Sequence, residues 1–473
     1  MVGITSYGAY VPLFRLDKGV IGGRGEKAIA NFDEDSTTMA VEAINDCLKG
    51  KDRETIDALY FGTTTSLYKE HLGATTIAMA SDLKENVYTA EFGNSLRAGT
   101  AAFKAGIDAV KAGSARKVIV TAADCRIGPP GSALERTFGD GAVAFVIGDT
   151  DVVVTVEGSY SVYNEIIDVW RTNDDSFVRT WEDRFAAEQG YLPSMRQAVS
   201  GLMEKFDYKP ADFTKAIFYS PDGRRGIELA RGLGFDIKTQ LQDPLIDVMG
   251  NTGAASALML LASALEEAKP ADLILLASYG NGADAFACKV NENIDKLRGQ
   301  GLGMKGQLAS KRVITDYLKY LRWRGIVPLD KTAAPPVVAY SSVAAKREYD
   351  RNISLHGSRC KACGYVQYPP QRVCTHCRAK DKMEPYSFVG KRGKIFTYTL
   401  DYITPRVEVP IATVEVDFEG GGRIQGYMTE VDVDKITVGL PVEMTFRRYT
   451  LWEEIALREG VYLYFWEAKP LRV

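Results

Sequence analysis

The chain has 473 residues, and 58 Lys+Arg against 61 Asp+Glu leave a net charge of −3. That length predicts two or three domains with large cores. The near-neutral balance speaks against a polyanion partner such as nucleic acid, and no apolar run approaches a membrane span. The N-terminus lacks the basic-then-apolar layout of a signal peptide and reads as a first strand, and seven unevenly spread cysteines fit a reducing cytoplasm better than a disulfide scaffold.

Residues 1–290 alternate apolar strand-like runs with longer helical patterns, the layout of an α/β domain. Strands are expected over 58–61, 117–122, 143–147, 215–219 and 273–278, and helices over 36–48, 75–83, 99–112, 191–206 and 254–268. Glu91-Phe-Gly-Asn-Ser-Leu-Arg-Ala-Gly-Thr100 reads as a strand end, a glycine elbow and a helix start. Asn94 and Ser95 are good N-cap types there, and free amides at such a start favour a developing oxyanion.

The segment also repeats internally. Phe138-Gly-Asp-Gly-Ala-Val-Ala-Phe145 is echoed by Tyr279-Gly-Asn-Gly-Ala-Asp-Ala-Phe286, and Gly93-Asn-Ser95 by Gly250-Asn-Thr252. Each elbow precedes an Ala-rich helix and an apolar strand, so two similar halves, about 1–150 and 151–290, are expected around a pseudo-twofold axis with the elbows facing a central site.

Residues 291–354 read as a linker carrying one amphipathic helix over 312–324, ended by Gly325 and Pro328, with a connector at 331–336. Lys319, Arg322 and Arg324 crowd the helix end, as a solvated face or a seat for a phosphate tail. Cys360-Lys-Ala-Cys363 and Cys374-Thr-His-Cys377 then form two C-x2-C knuckles, the four-thiolate set that zinc prefers, over a ribbon at 355–385. Iron in a rubredoxin-like site is the alternative metal. A closed four-cysteine set makes the metal structural, and His376 is expected to face solvent. Short alternating runs at 411–418, 423–429, 442–447 and 462–466 predict a small β-barrel of OB type over 386–473.

On these motifs the first 290 residues resemble the thiolase superfamily, and within it the 3-hydroxy-3-methylglutaryl-CoA synthases and ketoacyl synthase III enzymes. The residues that carry the resemblance are Arg97-Ala-Gly-Thr100, Gly128-Pro-Pro-Gly-Ser-Ala-Leu-Glu135, Phe218-Tyr-Ser-Pro-Asp-Gly223, Gly250-Asn-Thr252 and the two Gly-rich turns. Residues 355–473 look like the zinc-ribbon/OB-fold proteins that accompany thiolase-type enzymes acting on acyl-CoA. The resemblance implies a five-layered αβαβα fold with duplicated halves, an acyl-CoA substrate, a homodimer and a structural zinc ion.

It also implies where catalytic groups should stand, and three of those positions have changed. The family's nucleophilic cysteine falls on Leu96, beside Ser95, its histidine on Tyr219 and its glutamate on Thr64; the asparagine survives as Asn251. Claisen condensation through an acyl-cysteine is therefore not expected from motif positions. Three readings stay open. The first is aldol or retro-aldol chemistry on a CoA thioester, with Tyr219 as base or as packing replacement, and with Asn251 and the elbow amides holding an enolate oxygen. The second is a synthase with a displaced nucleophile at Ser95 or Cys125. The third is a non-catalytic acyl-CoA-binding scaffold for a partner thiolase. His71, in a loop, reads as a surface residue, and the loops 66–73 and 170–192 are expected to shape the pocket.

Overall fold

A computed structural model describes residues 1–328, 341–404, 407–449 and 461–472; the 331–336 connector lies outside them. The chain forms two compact units, the first made of Met1–Ala30, Asp35–Thr75 and Lys84–Tyr317. Its centre is a nine-stranded sheet whose order mirrors itself about the middle. On one side Tyr88–Phe92 and Ala58–Gly62 run parallel, as do Ala58–Gly62 and Val118–Asp124; Gly141–Gly148 and Gly3–Tyr10 follow antiparallel. On the other side Lys215–Phe218 runs parallel to Leu273–Tyr279, and Gly282–Val290 and Val154–Tyr163 follow antiparallel. Two residue pairs, Gly3↔Thr155 and Ile4↔Val154, join the halves. Leu241, bridged parallel to Ala216, stands where the first half has Tyr88–Phe92.

The helices repeat too. Ser36–Cys47 packs on the inner strands of its half as Leu192–Phe206 does on those of the other. Between the sheet halves run Ala98–Lys111 and Ser256–Leu265, rich in Ala and small enough to lie close. A Cβ on Gly99 would sit 2.3 Å from Ala254 O, so the two inner helices touch backbone to backbone at their starts. This is the thiolase-like αβαβα arrangement. Val118–Asp124, Gly141–Gly148 and Leu273–Tyr279 are buried at every position, as strands covered on both faces must be.

The expected helix over 312–324 is corrected. Arg312–Ile314 is a strand pairing parallel with Phe14, Arg15 and Leu16, and the helix spans only Tyr317–Trp323. The β-branched pair Val313-Ile314 suits an extended backbone, and there Val313 faces solvent while Ile314 is buried. The stripe that looked like one helical face is two elements, with Tyr320 and Trp323 as the helix's buried pair.

The second unit gathers Leu318–Val473 with two earlier stretches, Asn31–Glu34 and Thr76–Leu83. Its ribbon strands are His356–Cys360, Val366–Gln367 and Met383–Ser387. A closed barrel follows, in the order Arg392–Asp401, Ile411–Phe418, Arg423–Met428, Tyr464–Pro470, Pro441–Arg448. Ala412, Val414, Val416 and Phe418 point inward as their alternation predicts. Arg447 is fully buried in this unit, 2.5 Å from both Glu34 Oε1 and Glu430 Oε1. Lys319 pairs with Glu408 at 2.8 Å, which already neutralises one of the three cations at that helix end. No helix among the described residues is long and apolar enough to cross a membrane.

Candidate active site and metal centre

A cleft of about 1030 Å³ opens in the first unit, and Gly93, Asn94, Ser95 and Leu96 of the elbow lie on its wall. Residues of both expected loops join them: Ser66 to Lys69, His71 and Leu72 from one, and Trp170 to Asn173, Asp175 and Val178 from the other.

The elbow is built differently from its sequence reading. The helix begins at Ala98 with Arg97 as N-cap and no side-chain cap bond. Asn94 takes φ +63, a left-handed turn position that asparagine tolerates better than most side chains. Ser95 Oγ donates to Gly280 O at 3.0 Å, and Arg97 Nε donates to the same carbonyl at 2.7 Å. The Gly-rich turn of the second half thus crosses the elbow so closely that a Cβ on Gly280 would lie 2.7 Å from Ser95 Oγ. Ser95 Oγ also accepts from Arg97 N at 3.3 Å, one residue before the helix begins.

Asp124, which no motif singles out, organises the floor. Fully buried, it accepts from Thr63 Oγ1 (3.0 Å), Thr64 N (2.6 Å), Thr64 Oγ1 (2.9 Å), Thr65 Oγ1 (3.2 Å) and Ala254 N (2.7 Å). The three-threonine run is a clamp for this carboxylate, and Thr64 spends its hydroxyl there. Gly253, at φ +61, leaves room for it, since a Cβ would meet Asp124 Oδ2 at 2.1 Å.

Tyr219 and Asn251 come together as expected but lie behind the cleft wall. Asn251 Nδ2 donates to Tyr219 Oη at 3.1 Å and to Ser220 O at 3.0 Å, and its Oδ1 accepts from Gly253 N at 2.9 Å. Burial pushes the Tyr219 phenol above its ordinary value, against the opposing pull of the Arg126 guanidinium. Arg126, 5% exposed and packed 4.1 Å over the Phe138 ring, is the group on the cleft wall next to Tyr219. Further along the wall, Tyr279 Oη donates to Asp168 Oδ2 at 2.5 Å, and burial and that carboxylate hold its phenol well above the usual range. Arg171 Nη2 donates to Thr64 O at 2.8 Å. Sequence reasoning missed Asp124, Arg126 and Asp168; the flanking of Cys125 by an Asp and an Arg at a strand end was the available signal. Cys125 itself is not on the cleft wall.

In the ribbon the four Sγ atoms of Cys360, Cys363, Cys374 and Cys377 lie within 4.8 Å of one another. Cys360–Cys377 and Cys363–Cys374 are each 3.7 Å apart. Tetrahedral Zn–S bonds of about 2.3 Å require S···S separations of about 3.8 Å, and these two pairs already stand at that spacing. Gly364, at φ +77, closes the first knuckle, and Arg378, at φ +60, closes the second. His376 is exposed and stacks on Tyr365, outside the cysteine cluster.

Solved structures with the same fold include an HMG-CoA synthase complexed with CoA (19% identity, 68% of this chain and 89% of that one, TM-score 0.61). They also include MvaS in complex with 3-hydroxy-3-methylglutaryl coenzyme A (19% identity, 72% of this chain and 94% of that one, TM-score 0.61). The first unit therefore has the thiolase-type fold of that group of enzymes. Hydroxymethylglutaryl-CoA synthase of Thermococcus sibiricus is 35% identical over 339 residues, 68% of this chain and 96% of the relative. That of Caldivirga maquilingensis is 33% identical over 69% of this chain and 99% of the relative. The chain belongs to the hydroxymethylglutaryl-CoA synthase family. Beyond that shared region, residues 351–384 match the ChsH2 rubredoxin-like zinc ribbon domain and residues 386–447 the ChsH2 C-terminal OB-fold domain.

Proposed function

We propose that this protein makes or breaks a C–C bond on a CoA thioester by aldol or retro-aldol chemistry, without a covalent acyl-enzyme. One observation carries the reading. The elbow, the Gly-rich turns and a large cleft are all present, yet no cysteine among the described residues lines the cleft, and the positions where the resemblance expects a nucleophile, a histidine and a glutamate hold Leu96, Tyr219 and Thr64. An aldol step needs a proton acceptor and a stabilised enolate, not a nucleophile.

Arg126 faces the developing negative charge on the thioester oxygen. Tyr219 and Asn251 act as positioning residues that hold it from behind, because both amide hydrogens of Asn251 are already donated and a buried, raised phenol is a poor base. Ser95 shapes the elbow. A displaced-nucleophile synthase has less support, since Ser95 bonds a backbone carbonyl rather than a base. The same three replacements also favour a second reading, a CoA-binding scaffold that serves a partner thiolase.

Zinc at the cysteine quartet holds the ribbon's fold. The strand Tyr88–Phe92 at the sheet edge, with Tyr88 exposed, is where a second copy would extend the sheet into a homodimer. The free cysteines suit a cytoplasmic setting. The test is chromatography of 3-hydroxyacyl-CoA thioesters, beginning with 3-hydroxy-3-methylglutaryl-CoA, after incubation with the purified protein. Cleavage to two carbonyl products supports the aldol reading. Binding without cleavage, with turnover appearing in an added thiolase, supports the scaffold instead.

A further inference from the structure

Residues 63–72 leave the strand Ala58–Gly62 and enter the helix Gly73–Ala80, and both ends of this loop are tied to the strand that leads into the elbow. Thr63 N donates to Phe92 O at 3.0 Å, and Gly73 N donates to Glu91 Oε2 at 2.8 Å. His71 sits two residues before the second tie. It is exposed on the same cleft wall as Thr64, Ser95 and Leu96, with its ring edge-on to Tyr68 at a centroid distance of 5.0 Å.

The acids on that wall already serve the fold. Glu91 holds the Gly73 amide, Asp168 accepts the Tyr279 phenol and the Val169 amide, and Asp175 accepts the Thr172 amide and hydroxyl and pairs with Arg179. Lysine and tyrosine side chains in general keep their protons near neutral pH, whereas imidazole exchanges one readily. Of the chain's three histidines, His356 and His376 belong to the ribbon, which leaves His71 as the imidazole of the cleft.

We propose that His71 is the proton-transfer group of this site, an inference that rests on the C–C reading above. In the condensing direction the C–H bond α to the thioester breaks, and its proton passes to a ring nitrogen of neutral His71. The electron pair forms the enolate C=C, and the charge moves to the thioester oxygen. The enolate carbon then bonds to the acceptor carbonyl carbon, and the acceptor oxygen takes the proton back from the imidazolium. Cleavage runs the same steps in reverse, and the protein ends as it began.

Wild type and His71→Gln, with His71→Asn alongside, are incubated in D2O with acetyl-CoA, propionyl-CoA and 3-hydroxy-3-methylglutaryl-CoA. Exchange of the α protons is followed by NMR and thioester binding by calorimetry. The expected result is exchange by the wild type that slows by about a hundredfold or more in both variants, with binding changed by less than about twofold. Exchange at the wild-type rate in the variants overturns the His71 assignment and leaves the C–C reading standing. Loss of binding along with exchange makes His71 a binding residue and also overturns it. A wild type that binds thioesters yet neither exchanges nor cleaves them overturns the C–C reading, and this inference with it.

Discussion

Asp124 shows how one buried carboxylate can fix a whole run of neighbouring side chains. With five donors on its carboxylate, it turns the run Thr63-Thr-Thr65 into a fixed floor, and the Thr64 hydroxyl is donated to it. That Leu96, Tyr219 and Thr64 stand in for the family's catalytic groups was an expectation the motifs could raise. The consequence was not legible there, because whether Tyr219 faces the cleft or lies behind it depends on contacts with Asn251 and Arg126 from distant parts of the chain. Tyr219→Phe tests the positioning role. Removing the acceptor leaves a buried Asn251 donor unpaired, which costs about 1–3 kcal/mol in urea unfolding. Turnover should fall by less than about a hundredfold; complete loss with thioester binding intact would make Tyr219 catalytic.

Among the elements, the sequence predicted five strands of the nine-stranded sheet and five helices, because their apolar periods are long and undisturbed. It failed over 312–324, where a three-residue strand and a short helix together imitate one amphipathic stripe. The cysteine quartet was fully legible, since ligand spacing alone specifies the site. Stripping the metal with a strong chelator should abolish the structure of the ribbon strands, seen as loss of amide-exchange protection over His356–Cys360 and Met383–Ser387, and added zinc should restore it. Protection unchanged after full metal removal would refute a structural zinc.

The ribbon carries a pH-dependent contact as well. His356 Nε2 lies 2.6 Å from Asp82 Oδ1, and that hydrogen bond and charge raise the imidazole's pKa above its ordinary 6.5. A raised histidine stabilises the fold fully below its unfolded value, and the contribution fades as pH rises through the folded one. His356→Asn should therefore lower the free energy of urea unfolding at about pH 5.5 by on the order of 1 kcal/mol, and have little effect at about pH 9. An equal loss at both would show that the pair acts by shape alone.

Across the whole molecule, the repeated Gly-Asn and Gly-rich turn motifs foretold the mirrored halves, because each half must rebuild the same close backbone approaches. The loop 66–73 was expected to shape the pocket, but periodicity could not foretell that Gly3 and Ile4 stitch the two halves into one sheet, or that His71 of that loop faces the cleft beside Ser95 and Leu96. Both depend on pairings between residues far apart in sequence. Membership of the hydroxymethylglutaryl-CoA synthase family accounts for the fold of the first unit.

Thioester chemistry without an acyl-enzyme leaves the polypeptide unmodified throughout turnover. Intact-protein mass spectrometry on samples quenched during turnover of 3-hydroxy-3-methylglutaryl-CoA and acetyl-CoA reads this out. The expected result is product formation with the protein at its unmodified mass at every time point. An acyl adduct that forms and decays at the rate of turnover, mapped to Ser95 or Cys125, would overturn the aldol mechanism.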